Sequence, residues 1–406
     1  MSQADRQTSR VAASIVLALA AAEAGARLLA PREAPIEPAA VDVRDYFSAD
    51  EITRGERFAR PQLALALARG AVQLGALASL VRRRPRLFRR LGASPVAGGA
   101  VAGAGLSVVL ALPPLPLAAI SRRRAIRVGL ATQSWRDWGR DLVKATAIEA
   151  ALTGGGGAAA VAATRRFPRD WWLPVGGGAV AFGAALAALA PVVLDPVFND
   201  FTPLPVGDTR SDVLELARAA GVKVGEVYSV DASRRTTAAN AYVTGLGPTK
   251  RVVLFDTLLD RYTRDEIRLV VAHELAHVRH RDVPRGVLYA ALVAPMGALA
   301  VQRLSWALEP ERGSAAALPA MALAAAIVAA PLGLSSNRLS RAIERRADTF
   351  ALRLAGSPDA FVSFERAIAL QNVADIEPPR WVSSLLAPHP PPAERIGAAV
   401  AYAGDG

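Results

Sequence analysis

Seven stretches of this 406-residue chain are apolar for about the length a bilayer requires: residues 11–30, 61–81, 95–120, 143–163, 171–193, 286–304 and 314–334. Hydrocarbon offers no hydrogen-bond partners, so a segment that crosses it must satisfy its backbone internally, and a run of about 20 residues does so as a helix. The chain is therefore expected to be mainly α and polytopic. Its hydrophobic fraction of 52% exceeds what a soluble globule of this length needs. Five of the runs precede residue 195 and two interrupt the remainder of the chain. This divides the sequence into an N-terminal membrane region, residues 1–195, and a second region, residues 196–406, with spans at about 286–304 and 314–334.

The first run resembles a signal peptide in composition, but Glu23 and Arg27 stand at i, i+4, where they can pair, and no clean cleavage site precedes them. An uncleaved span is expected. Pro31 to Arg60 is polar, and residues 45–52 read as a cap and a short helix. The net charge of +12 comes mostly from arginines between the apolar runs, at 82–90 and 122–127, which suits loops facing anionic headgroups. Such short, interrupted basic runs argue against a nucleic-acid partner. Trp135, Trp138, Trp171 and Trp172 fall near span ends, as interfacial aromatics do. Glycines 154–157 and 176–178 are expected to let helices approach closely. Arg69, Lys144 and Glu149 lie within or beside spans, where an ionisable group faces water, finds a partner or snorkels.

Of only four histidines, three fall between residues 273 and 280, in the pattern His273-Glu274-Leu275-Ala276-His277. On a helix, residues four apart share a face, so both imidazoles can reach one metal ion. Glu274 lies beside that ion, placed to take a proton from an attacking water, and is the candidate general base. Thr263 and Glu266 form a capping box ahead of the apolar run from Ile267 to Val271, and Pro284 is expected to end the helix. The chain has no cysteine, so a single Zn2+ would be held by histidine and carboxylate alone.

The chemistry needs a third ligand. After the last two spans, residues 339–351 are helical in pattern and place Glu344 and Asp348 on one face. Glu344 would complete a His273, His277, Glu344 set with a fourth position open, and Asp348 would orient a ligand histidine. His389, the one histidine elsewhere, follows a proline and precedes three more. So rigid a loop can hold its imidazole over the metal, to donate to the oxyanion of the tetrahedral intermediate. Ahead of the metal helix, residues 211–220 read as a helix closed by Gly221 and 224–230 as a strand. Residues 240–245 and 251–256 form a β-hairpin through Gly247-Pro248-Thr249-Lys250. Its first strand is a place for an extended peptide to add as a further strand.

These residues resemble the Ste24-like (CAAX prenyl protease type) branch of the M48 membrane zinc metallopeptidases. The resemblance rests on Phe198 to Leu204, on Asn240-Ala241-Tyr242 with residues 253–259, on His273 to His277, on Glu344 to Asp348, and on His389-Pro390-Pro391 with Arg395. It implies a helical barrel of about seven spans around a water-filled chamber, with a zincin-like catalytic domain at its cytosolic end that cuts a peptide near its C-terminus. It further implies that the catalytic set is Glu274, His389 and Asp348, and that Asn240 and Arg395 bind substrate. The Ala- and Arg-rich composition points to a bacterial cell (inner) membrane, and the resemblance implies that the site faces the cytoplasm. In that orientation the arginines at 82–90 lie outside, against the usual bias. Besides a zinc endopeptidase, the sequence admits a catalytically inactive scaffold or transporter-like protein that retains a metal site, or an HtpX-like quality-control protease. Seven candidate spans favour the Ste24-like form.

Overall fold

The computed structural model describes residues 2–83, 94–245, 250–309 and 311–404. Arg84, Arg86, Arg89 and Arg90, and Gly247, Pro248 and Thr249 of the hairpin turn, lie outside the described residues. Each apolar run is helical: α1 (Gln3–Leu29), α2 (Ala49–Arg83), the pair α3 (Pro95–Ala111) and α4 (Leu115–Arg127), α5 (Trp135–Arg166), α6 (Trp172–Val193), α9 (Asp282–Leu308) and α10 (Leu318–Ala355). Five of these helices are long and apolar enough to cross a membrane, and α3 and α4, bent by 50° at their break, pass the same test only when taken together, as a broken span or a re-entrant loop. Helix α5, the remaining expected span, is long enough but less apolar, because four consecutive glycines and Glu149 lower its hydropathy.

Glycine sets how closely these helices pack. A Cβ on Gly157 of α5 would lie 2.4 Å from the Gly99 carbonyl of α3, and one on Gly103 would lie 2.3 Å from the Thr153 carbonyl. Alanine at either position must push the helices apart. Of the second cluster only Gly176 is tight, 3.0 Å from Pro295 of α9, and Gly177 and Gly178 face open space. Glu23 bonds Arg27 at 2.6 Å as expected and also Arg338 of α10 at 2.6 Å, which ties the first helix to the last membrane helix. Trp171 is 2% exposed, so it fills the interior rather than facing headgroups. Lys144 donates to the Val197 carbonyl at 3.1 Å.

Two helices run further than their sequence suggests. Residues 45–52 lead straight into α2, which starts on the Ser48–Glu51 cap and carries Pro61 in its interior. Helix α10 continues unbroken from the membrane through Glu344 and Asp348 to Gly356, whose φ of +65° closes it. One rigid rod thus links the bilayer to the metal-binding face.

The second region adds α7 (Asp208–Ala219), α8 (Arg264–Arg279), α11 (Pro358–Gln371), α12 (Pro392–Gly404) and a four-stranded sheet. The sheet comprises β1 (Phe201–Pro203), β2 (Glu226–Val230), β3 (Ala241–Thr244) and β4 (Arg251–Phe255), in the order β1-β2-β4-β3. Strands β2 and β4 are parallel and the other pairs antiparallel, so β3 is an edge. Val227, Ala241, Val252 and Leu254 pack with Val213 and Leu216 of α7 and with Ile267, Val271 and Leu275 of α8. That core fixes the sheet against the histidine helix.

Candidate active site

Helix α8 opens on the expected capping box: Thr263 accepts from the Glu266 amide, and Glu266 accepts from the Thr263 amide at 2.8 Å. Its end differs from expectation. The helix stops at Arg279, His280 caps it and Arg281 turns left-handed at φ 57°, so Pro284 falls in the first turn of α9. A proline there forfeits no helical bond, because first-turn amides have no partner within the helix. The early break brings Asp282, at the head of α9, back beneath His277.

His273 and His277 present Nε2 atoms 3.3 Å apart. Glu344 of α10 meets both, its Oε2 3.3 Å from His273 Nε2 and its Oε1 3.6 Å from His277 Nε2. Atoms bound 2.0–2.1 Å from a tetrahedral zinc lie about 3.3–3.4 Å from each other, so these three edges fit such an ion. Glu274 is also close, within a group whose atoms lie within 4.8 Å of one another. Glu344 touches both imidazoles from a separate helix and leaves the Glu274 carboxylate free.

Each imidazole is held from behind by a carboxylate. His273 Nδ1 lies 2.9 Å from Asp348 Oδ1, and His277 Nδ1 lies 3.0 Å from Asp282 Oδ2. A proton kept on Nδ1 by such a partner leaves Nε2 as a bare lone pair. Burial disfavours charge on His273, but Asp348 and Glu344 outweigh it and push the imidazole up to about 10. The two carboxylates thus favour positive charge on or beside this imidazole. Burial pushes the Glu274 carboxyl above the usual range, with the imidazoles opposing it. A raised carboxylate is a stronger base.

The carboxylates are anchored in turn. Arg395 of α12 donates to Asp348 at 2.6 and 2.8 Å and meets Glu365 of α11 at 2.7 Å. Asp282 is held by Arg285 at 2.9 Å and by Arg346. Glu365 is 2% exposed, and desolvation pushes it up to about 7 against the pull of Arg395. Removing one partner of such a buried pair typically costs about 3–5 kcal/mol, because the other charge stays behind unpaired. Arg395 therefore commits its guanidinium to two buried carboxylates.

His389 comes to the same site. Its Nδ1 is 2.9 Å from Glu344 Oε2, with 63% of the side chain exposed. The loop that carries it is pinned to α10: Asn337 donates to the Leu385 and Leu386 carbonyls at 3.0 Å, and Arg341 donates to Ala387 at 2.6 Å and to Ser384. Asn240 lies just before β3, its Oδ1 accepting from the Ala241 amide at 2.9 Å. The Phe255 amide donates to the Asn240 carbonyl, so positions 240 and 255 form a hydrogen-bonded pair. Pairs alternate along an antiparallel ladder, which aims Tyr242 at Val253 and turns the amide and carbonyl of Val243 to the open edge.

The sequence reading missed Asp282 and Glu365. Asp282 stands five residues after His277, and asking what holds that imidazole would have found it, as the same question found Asp348. Glu365 has no such signal, because only the packing of α11 brings it to Arg395.

A bundle of membrane-length helices capped by two histidines, a glutamate from a separate helix and a free carboxylate defines a membrane metallopeptidase. The model of Peptidase family M48 matches residues 203–403. The Uncharacterized metalloprotease YhfN of Bacillus subtilis (strain 168) is 31% identical over 301 residues, 72% of this chain and 70% of that one. CAAX prenyl protease 1 of Saccharomyces cerevisiae is 34% identical over 158 residues, 38% of this chain and 34% of that one. The crystal structure of S. mikatae Ste24p superposes with a TM-score of 0.79 at 20% identity, covering 97% of this chain and 98% of that one. The chain belongs to peptidase family M48, and it shares the fold of Ste24p. It is an integral-membrane metalloendopeptidase, and its substrates are peptides or proteins.

Proposed function

We propose that the protein is a zinc-dependent endopeptidase in which His273, His277 and Glu344 hold one Zn2+ and Glu274 is the general base. The observation that carries this reading is the triangle of Nε2 and carboxylate oxygens, with edges of 3.3, 3.3 and 3.6 Å, each imidazole backed by its own carboxylate. Bound zinc would supply a Lewis acid that polarises the scissile carbonyl and acidifies water. Glu274 takes the proton of the attacking water and delivers it to the leaving amine. Asp348 and Asp282 hold the ligand imidazoles, and Arg395, with Glu365, holds Asp348. The purified protein should contain about one zinc per chain. Loss of peptide hydrolysis on chelation and its recovery with zinc would test the assignment; hydrolysis indifferent to chelation would overturn it.

His389 donates a hydrogen bond to the oxyanion in this reading. Its exposed ring beside Glu344 supports the role, because the loop is anchored while the imidazole stays within reach of the cleft. His389→Ala should lower kcat about a hundredfold or more with zinc content unchanged. An unchanged kcat would exclude the role.

The peptide docks along β3 as an added strand, through the outward backbone groups of Val243 and with the Asn240 amide near the scissile bond. Main-chain pairing tolerates many side chains. Val243→Pro removes an amide that no ladder bond uses, so the sheet should survive while kcat/KM falls by tenfold or so. If neither Val243→Pro nor Asn240→Ala altered cleavage, the peptide would bind elsewhere.

The protein resides in a bacterial cell (inner) membrane with the metal site facing the cytoplasm; its similarity to a Bacillus protein supports the bacterial setting. The chain has no cysteine, so Glu215→Cys on the exposed face of α7 provides a single thiol. An impermeant maleimide should label it only after the cells are permeabilised. Labelling of intact cells would reverse the orientation.

A further inference from the structure

At the opposite end of the bundle, Arg6 and Arg10 of α1, Arg303 of α9 and Arg312 surround a cleft of about 290 Å³ that no carboxylate lines among the described residues. Arg303 stands 21 residues beyond Asp282 on one helix, about 30 Å along its axis. That distance matches the thickness of a hydrocarbon core, so the cleft lies in the headgroup layer on the face away from the metal site.

None of the four guanidinium groups joins an ion pair or gives a hydrogen bond among the described residues. The neighbouring carboxylates are engaged elsewhere: Asp5 accepts from the Ser2 amide at 2.8 Å, Glu311 bonds Ser314 at 2.7 Å, and Glu309 accepts from the Glu311 amide at 3.1 Å. Two of the arginines are held in place by a ring. Arg312 lies 4.2 Å and Arg303 5.6 Å from the Trp306 centroid, and Trp306 accepts at its carbonyl from Gln7 at 3.4 Å, which ties α1 to α9. Four like charges gathered around one cleft repel each other unless an anion sits among them.

The surface below the cleft is apolar. Ala13 and Leu17 continue the stripe of Arg6 and Arg10 at helical spacing, and Leu17 is 52% exposed. A phosphate among the arginines would therefore have its acyl chain laid along that stripe, which a free ion cannot exploit.

From this arrangement we infer that the cleft binds the phosphodiester headgroup of an acidic phospholipid, with an acyl chain along the exposed face of α1. An arginine beside an anionic headgroup adds roughly a factor of five to the affinity.

The full-length protein is purified in mild detergent, and its retention of headgroup-labelled phosphatidylglycerol is measured against phosphatidylcholine. The wild type should keep about one phosphatidylglycerol per chain, and R303Q/R312Q should bind it about tenfold to thirtyfold more weakly. R6Q/R10Q, whose changes lie on an exposed helix face, should show the same loss, which guards against misfolding of the first variant. R54Q/R57Q, at the catalytic end, should bind as the wild type does. Equal retention by the wild type and both cleft variants would overturn the proposal. So would displacement of the lipid by inorganic phosphate at equal concentration, because the cleft would then be a free-anion site.

Discussion

Replacing Glu274 by Gln is expected to cut peptide hydrolysis by about 10²–10⁴-fold while leaving bound zinc at the wild-type level. Gln keeps the shape of Glu but cannot accept a proton. The two effects separate because Glu274 sits beside the ligand triangle, while Glu344 touches both imidazoles at 3.3 and 3.6 Å. The measurement pairs single-turnover cleavage of a peptide with metal analysis of the same preparation. Full activity in Glu274→Gln would remove the carboxylate from the mechanism, and loss of zinc would make it a ligand. The variant should also hold uncleaved substrate in native membranes, where bound proteins can be captured and identified.

The second large effect concerns the metal itself. Glu344→Ala removes the one ligand that comes from outside the histidine helix and should leave zinc below one tenth of a site per chain at micromolar metal. Two histidines on one helix face make an incomplete set, since zinc is held by three protein ligands in catalytic sites. Asp282→Asn touches no metal. It takes the charge from the acceptor behind His277 and should weaken zinc binding by 10–100-fold. The graded pair distinguishes ligation from orientation, and wild-type zinc content in Glu344→Ala would refute the ligand set. Because Asp282 also binds Arg346 and Arg285, a matched measurement of helicity separates metal loss from unfolding.

Much of this site is legible in the sequence because its parts are local. His273, Glu274 and His277 occupy one helical turn, and the capping box at Thr263 and Glu266 is read from three-residue spacing. Glu344 and Asp348 lie one turn apart on a single helix, so either implies the other once the first is suspected. Where sequence reasoning misplaced a boundary, the cause is backbone conformation. The turn at Arg281, with φ 57°, ends α8 before Pro284 does, and nothing in the residue types marks it. Likewise Pro61 and Pro331 sit inside long helices, because the amide that each lacks is a small loss beside the burial and packing of a membrane-length helix.

By itself, then, the sequence determined the class of the protein: seven runs long enough to cross a bilayer, a histidine pair at i, i+4 and the carboxylates to complete it. Each of these is a statement about spacing along one element, and spacing is preserved in the chain. Only the tertiary structure decided which residues support that chemistry from a distance. The Glu365–Arg395–Asp348–His273 chain joins α11, α12, α10 and α8. The outward face of β3 is set by the hydrogen-bonded pair at 240 and 255, and the arginine cleft exists because α1 and α9 end side by side. Such contacts bring together residues up to about 300 positions apart, and their energy is realised only when the helices that carry them have packed.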